Sequence, residues 1–396
     1  MGKYNFDAII DRTHTKSLKY DFAVRRGRPA DIKPFWVADM DFEVPPELKQ
    51  ILLERVNHGV FGYTESDEEY FDTVANWFTT RFNWTPDINW LVKTPGIVMA
   101  LAMAVQAFTK EGEGVLIQQP VYYPFSEVIE DNDRRLINAP LVRGDDKYTI
   151  DFEAFEKAII ENNVTLFMLC NPHNPVGRVW TEEELRTLGD ICIKHNVIII
   201  SDEIHADFVW EGHTHHVFAS LDGAYADHSI ICTSPSKTFN IAGLQISNIF
   251  IPNPSLRRRF RKQVATAGYS QVGTMGLVGA EGAYRVGAPW LDELKVYIQA
   301  NIEFTVQYFA EHMPKIKVYK PEGTYLIWFD CSGLGMTAAE REQWLWHDAK
   351  LWLDSGAIFG DDGKDFERIN VACPRPTLVD GLESLKAAYD TLHMIH

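Results

Sequence analysis

Ser229-Ile230-Ile231-Cys232-Thr233-Ser234-Pro235-Ser236-Lys237-Thr238-Phe239-Asn240 is the stretch from which the fold can be read. The first five residues form a short β-branched and apolar run, the composition of a strand buried on both faces. The next seven gather hydroxyls and a lysine in a turn. Runs 114–117, 164–170, 197–201 and 248–251 are of the same kind, and stretches of helical period such as 152–162 and 181–195 separate most of them. This order predicts an α/β fold, a mostly parallel sheet flanked by helices. From about Pro289 the pattern changes to a long helical stretch, a strand-like Gly323-Thr324-Tyr325-Leu326-Ile327-Trp328-Phe329, further short strands and a terminal helix from Asp380. The expected division is an N-terminal arm with part of a small domain over 1–47, a large domain over 48–288, and the rest of a smaller α+β domain over 289–396.

The chain has 396 residues, 46% of them hydrophobic, enough for a large core split into two lobes. With 55 acidic against 38 basic side chains the formal charge is -17, which repels phosphate backbones and anionic membranes. The short basic run Arg257-Arg258-Arg259 with Arg261 and Lys262 reads as a solvated helix face, so nucleic acid is not an expected partner. Five scattered cysteines without CxxC spacing read as core thiols in a reducing compartment, with neither a disulfide framework nor a zinc site expected. Residues 1–20 are broken by Lys3, Asp7, Asp11 and Arg12 before an apolar stretch could form, and the apolar segment 96–105 is far shorter than the ~20 residues a membrane span needs. A soluble, cytoplasmic protein is the expectation.

Ligands of open α/β sheets bind beyond the carboxyl ends of the strands. Run 164–170 ends in Asn171-Pro172-His173-Asn174-Pro175-Val176-Gly177, whose prolines and glycine fix a loop that leaves Asn174 polar atoms to project. Run 197–201 ends in Asp202-Glu203-Ile204-His205, and a carboxylate at the tip of a buried strand needs a cationic or hydrogen-bonded partner. A pyridinium nitrogen would be one. Upstream, Gly96 opens an apolar helix whose first N–H groups make an anion site with Ile97 and Val98. Tyr122 and Tyr123, after another strand, offer a flat ring for stacking. An amine, a carboxylate, phosphate donors and a stacking ring are together what pyridoxal 5'-phosphate (PLP) chemistry requires.

In that order, Gly96-Ile97-Val98, Tyr122, Asn174, Asp202 and Ser234-x-x-Lys237 resemble the fold-type I PLP enzymes, the aspartate aminotransferase superfamily, over nearly the whole chain. More narrowly, Trp36-Val37-Ala38-Asp39-Met40-Asp41-Phe42, Phe61-Gly62-Tyr63-Thr64, Asp202-Glu203-Ile204-His205, Ser236-Lys237-Thr238-Phe239-Asn240-Ile241-Ala242-Gly243 and Ala372-Cys373-Pro374-Arg375 are similar to the MalY/PatB branch of cystathionine and cysteine-S-conjugate β-lyases. The resemblance implies Lys237 as Schiff-base lysine and base, Asp202 on the pyridine nitrogen, Asn174 on the ring oxygen and Tyr122 stacked on the ring. It implies Gly96, Ile97, Val98, Ser234 and Ser236 around the phosphate, Tyr63 reaching it from the partner of a homodimer, and Arg375 on the substrate carboxylate. His205 would border the ring, and the Ala38-Asp39 stretch and Tyr123 would shape the substrate pocket. Eight residues beyond Lys237, where many aminotransferases of this superfamily have a phosphate-binding arginine, stands Gln245.

Blander readings stand beside these. Asp202 could be a helix N-cap, Arg375 an ordinary ion-pair arginine, Tyr63 a packed turn residue and His205 a hydrogen-bonded core histidine. His213, His215 and His216 lack companion cysteines and read as part of a loop, and Gly112-Glu113-Gly114 precedes a strand, unlike a dinucleotide fingerprint. The expected reaction is α,β-elimination of L-cystathionine, L-cysteine or related conjugates to thiol, pyruvate and ammonia. The rivals are an aminotransferase and a protein of this fold whose main task is to bind another macromolecule.

Overall fold

The computed structural model describes residues 2–394. Seven strands, β1 (Leu91–Thr94), β2 (Gly114–Ile117), β3 (Arg135–Asn138), β4 (Leu166–Cys170), β5 (Ile198–Asp202), β6 (Ser229–Thr233) and β7 (Ser247–Phe250), form one sheet in the order β1-β7-β6-β5-β4-β2-β3. From β6 through β3 every pair is parallel, whereas β7 runs antiparallel to both β1 and β6. Every residue of β2, β4, β6 and β7 is buried, which explains the unbroken apolar runs of β2 and β4 and the apolar residues within β6 and β7.

The pleat divides each run between two cores. In β4, Leu166, Met168 and Cys170 join the core formed with helices Ile97–Phe108 and Pro254–Thr266, while Phe167 and Leu169 join Trp180, Leu185 and Leu188 in the other. Truncating Leu169 to alanine would cost about 2–5 kcal/mol. Helix Phe152–Asn162 has the predicted bounds, and Thr181 caps helix Glu182–Lys194 in a capping box with Glu184.

A second sheet of β8 (Lys317–Tyr319), β9 (Leu326–Asp330), β10 (Asp354–Ser355) and β11 (Phe366–Asn370) is antiparallel in the order β8-β9-β11-β10. The N-terminal arm joins this region by the parallel pairing of Lys33 and Pro34 with Leu351 and Trp352. The strand expected from Gly323 starts only at Leu326, because Thr324 takes a left-handed φ of 67° that no ladder accommodates. The last helix begins at Arg375, five residues before the expected Asp380, since Pro376 is tolerated in a first turn.

Cys170, Cys192, Cys232, Cys331 and Cys373 are buried free thiols. Among the described residues no helix is long and apolar enough to cross a membrane.

Candidate active site

The tips of β4, β5 and β6 lie level: Cys170 pairs with Asp202, and Asp202 with Cys232. Beyond them opens a small cavity lined by Ala38, Ile97, Val98, Tyr122, Cys170, Asn174, Asp202, Ile204, His205 and Lys237. Seven of the residues expected at the cofactor thus meet at one place, with Ala38 from the expected substrate pocket.

Lys237 sits on the short helix Pro235–Thr238, capped by the Ser234 hydroxyl. Its Nζ donates to the carbonyl of Ala38 at 2.6 Å, and Tyr325 Oη donates to the same oxygen at 2.9 Å. Burial lowers the Lys237 amine to about 8; Arg368 and Lys19 push the same way, and Asp39 and Asp202 oppose it. An amine so tuned yields its unprotonated, nucleophilic form near neutral pH.

Asp202 is 4% exposed, and the one donor to its carboxylate among the described residues is Ile204 N–H, at 3.2 Å. Burial pushes its carboxyl up to about 7, so an added cationic donor would stabilise the ionised form. His205 is likewise buried and lowered to about 3 by burial, and its Nδ1 has no hydrogen-bond partner. Its ring faces Tyr325 edge-on at 5.9 Å. It therefore both packs and borders the cavity.

At the other end, helix Ile97–Phe108 starts at Gly96 without a side-chain cap, leaving its first N–H groups open. A Cβ built on Gly96 would meet nothing within 4 Å, so the space before this terminus can take an anion. Ser234 Oγ lies 2.7 Å from the Ile246 carbonyl and 2.9 Å from Ser236 Oγ, which holds the turn under Lys237. Gly177, at φ 72° with Pro321 crowding its missing side chain, shapes the loop that carries Asn174.

Asn174 does not project freely; its Oδ1 accepts from Arg368 Nη1 at 2.8 Å. Arg368, on β11 and 2% exposed, also donates through Nη2 to the Trp36 carbonyl at 3.0 Å and pairs with Asp354, while its Nε is buried without a partner. The sequence reading missed it. The available signal was a charged pair, Glu367-Arg368, inside a fully buried strand.

Arg375, expected at the substrate carboxylate, is elsewhere. Its backbone N–H donates to Tyr297 Oη at 2.5 Å, its Nε donates to Asn301 Oδ1 at 2.7 Å, and its guanidinium lies 4.5 Å from the Phe304 ring centroid. These contacts begin the last helix; neither Arg375 nor Arg368 is itself part of the cavity lining, but Arg368 bonds Asn174, which is, whereas Arg375 bonds Tyr297 and Asn301, which are not. Arg375 thus stands in the first turn of a helix, its guanidinium engaged by Asn301 and Phe304.

Tyr63 is 94% exposed and lies beside exposed Val60 and Phe61, outside the cavity lining. Tyr123 is half-buried, 5.3 Å from Tyr122 and 6.1 Å from Phe359 between ring centroids. Gln245 is exposed, at φ 55°. His215 is buried, its Nε2 3.0 Å from Glu203 Oε2, a structural pairing.

This donor set fits PLP. A buried carboxylate awaits a cationic donor, a tuned amine points into the same space, Tyr122 gives an aromatic wall, and an uncapped helix start and two hydroxyls can receive a phosphate.

A profile of the aminotransferase class I and II family matches residues 35–385. Cystathionine beta-lyase PatB of Bacillus subtilis (strain 168) is 43% identical over 97% of this chain and 99% of its own. Protein MalY of Escherichia coli (strain K12) is 32% identical over 96% and 98%. Among solved structures, cystalysin from Treponema denticola, which contains a pyridoxal 5'-phosphate cofactor, superposes with a TM-score of 0.95 at 40% identity, covering 98% of this chain and 99% of that one.

Proposed function

The chain belongs to the aminotransferase class I and II family, and on that premise we propose that it is a PLP-dependent carbon–sulfur β-lyase. It eliminates the thiol from L-cystathionine, L-cysteine or related cysteine conjugates, giving pyruvate and ammonia. The observation that carries this reading is the buried Lys237 amine facing the Asp202 carboxylate across one cavity, in a chain similar over its whole length to a cystathionine β-lyase. Gln245, in place of the arginine many aminotransferases have, favours elimination over transamination.

When bound, PLP supplies the electron sink that makes an amino-acid Cα–H acidic. Asp202 would keep the pyridine nitrogen protonated, Asn174 would bond the ring oxygen, Tyr122 would stack on the ring and His205 would border it. Gly96, Ile97, Val98, Ser234 and Ser236 would hold the phosphate, with Tyr63 of a second copy completing the site in a homodimer. Val60, Phe61 and Tyr63, exposed together, support that last assignment. Arg368 replaces Arg375 as the group that grips the substrate carboxylate, because its buried Nε lacks a partner. Ala38 and Tyr123 would border the substrate side chain.

Lys237 Nζ then takes the Cα proton while the Cβ–S bond breaks, its electron pair leaving on the thiolate. The released aminoacrylate hydrolyses to pyruvate and ammonia. The five buried free thiols support a cytoplasmic setting. The test is L-cystathionine with PLP and no 2-oxo acid: homocysteine should appear with wild type and not with Lys237→Ala. Turnover that waits for a 2-oxo acid would make the protein an aminotransferase.

A further inference from the structure

Residues 36–42 have no strand partner, yet side chains take up most of their carbonyls. Trp36 O accepts from Arg368 at 3.0 Å, Val37 O and Asp39 O each from Asn370 Nδ2 at 2.7 Å, and Met40 O and Phe42 O each from Asn240 Nδ2 at 2.9 Å. Ala38 O, in the middle, accepts from Lys237 and Tyr325. Asn370 and Arg368 come from the small sheet, and Lys237 and Asn240 from the turn after β6. The segment is a strap between them.

A compact ion cluster fastens the strap from outside. Arg12 bonds Asp39 Oδ2 and Asp41 Oδ1, each at 2.6 Å, and Lys19, 1% exposed, bonds Asp41 Oδ2 at 2.7 Å and lies 3.5 Å from Asp39 Oδ1. Arg12 also donates to Met40 O at 3.2 Å, and Lys19 to Asp39 O at 3.4 Å. Two cations from the arm thus balance two carboxylates that flank Met40, the first of them directly after Ala38. An ion cluster of this kind is weak evidence for stability, since desolvation offsets much of its attraction, but its hydrogen bonds fix where the arm meets the strap.

We propose that the Arg12, Lys19, Asp39 and Asp41 cluster is a positioning device, docking the N-terminal arm on the 36–42 strap so that the Ala38 carbonyl holds the free Lys237 amine at the cavity. This rests on Lys237 being the reactive amine. The charged and titratable groups facing that amine are Asp39 of the strap and Lys19 of the arm, Asp202 at the end of β5 and His205 beyond it, and Arg368 of the small sheet. Charge balance in the cluster therefore sets the amine as well as its place. Removing Lys19 leaves Asp39 less compensated and raises the Lys237 titration; removing the Asp39 charge lowers it.

The test is competitive acetylation of the cofactor-free chain across pH, reading the Lys237 peptide by mass spectrometry, with the kcat/KM profile of the PLP-loaded enzyme in parallel. Lys19→Met should move the Lys237 midpoint up and Asp39→Asn should move it down, each by at least about half a unit, and the double variant should return toward wild type. Shifts in one common direction, or none, would overturn the proposal. Should buried Lys19→Met fail to fold, the more exposed Asp39→Asn alone decides, a midpoint that stays or rises refuting it. The labelling reads the amine directly, so it stands whether or not the enzyme proves to be a lyase.

Discussion

Exchanging Arg368 for lysine separates the carboxylate-gripping role from simple charge. In the folded chain the guanidinium spends Nη1 on Asn174 and Nη2 on Trp36 O and Asp354, leaving Nε for a ligand. Lysine preserves the positive charge beside buried Asp354, so that carboxylate is not stranded, but its ammonium cannot reproduce the planar fork. A hydrogen bond to a charged group contributes about 1.5–3 kcal/mol. Losing one such bond in the transition state lowers kcat/KM about ten- to a hundredfold. The assay is steady-state thiol release from L-cystathionine, with a melting curve to confirm folding. Arg375→Lys, altered 4.5 Å from Phe304 and outside the cavity, should stay within about twofold. A large loss at Arg375 with none at Arg368 would refute the assignment.

Asp202→Asn keeps the shape at the tip of β5 and removes the charge; PLP should still bind while kcat/KM falls about ten- to a hundredfold. Tyr63→Ala should weaken PLP binding, read by equilibrium dialysis, while light scattering still shows a dimer; unchanged affinity would remove Tyr63 from the shared site. Burial lowers His173 from 6.5 to about 3, so below pH 6.5 the unfolded chain takes up a proton that the folded chain refuses. Its contribution to stability is full above pH 6.5 and is lost as pH falls toward 3, at about 1.4 kcal/mol per pH unit. His173→Asn should flatten the pH 5 to 6 dependence of urea unfolding by about that slope, and an unchanged slope would show that His173 titrates alike in both states.

Five of the seven strands were legible because buried strands are written as short apolar runs, whereas β1 and β3, at the sheet's two edges and only partly buried, gave no such run; the residues after the five met as the topology requires. Lys237, Asp202 and Asn174 could be named for that reason, each standing directly beyond a strand run or at its last residue. Arg368 could not, because β11 is written Phe366-Glu367-Arg368-Ile369-Asn370, a polar pattern that hides a buried strand. Its charges are matched by Asp354 and Arg341, residues distant in sequence. Arg375 was named from the resemblance of Ala372-Cys373-Pro374-Arg375 alone, and no strand or helix signal in the sequence placed its side chain; Pro376 fits the first turn of the helix that Arg375 begins. The arm cluster was invisible for a similar reason: Arg12 and Lys19 meet Asp39 and Asp41 only after the chain folds back.

The identity of the 2-oxo acid formed from L-cystathionine, determined by NMR of the product mixture without added 2-oxo acid, tests the central claim most directly. Cleavage of the Cβ–S bond predicts three-carbon pyruvate, matched one to one by homocysteine and absent with Lys237→Ala. No pyruvate until a 2-oxo acid is supplied, and then a product 2-oxo acid that retains the intact thioether, would contradict the account, since the nitrogen would have passed to the acceptor with the carbon–sulfur bond unbroken.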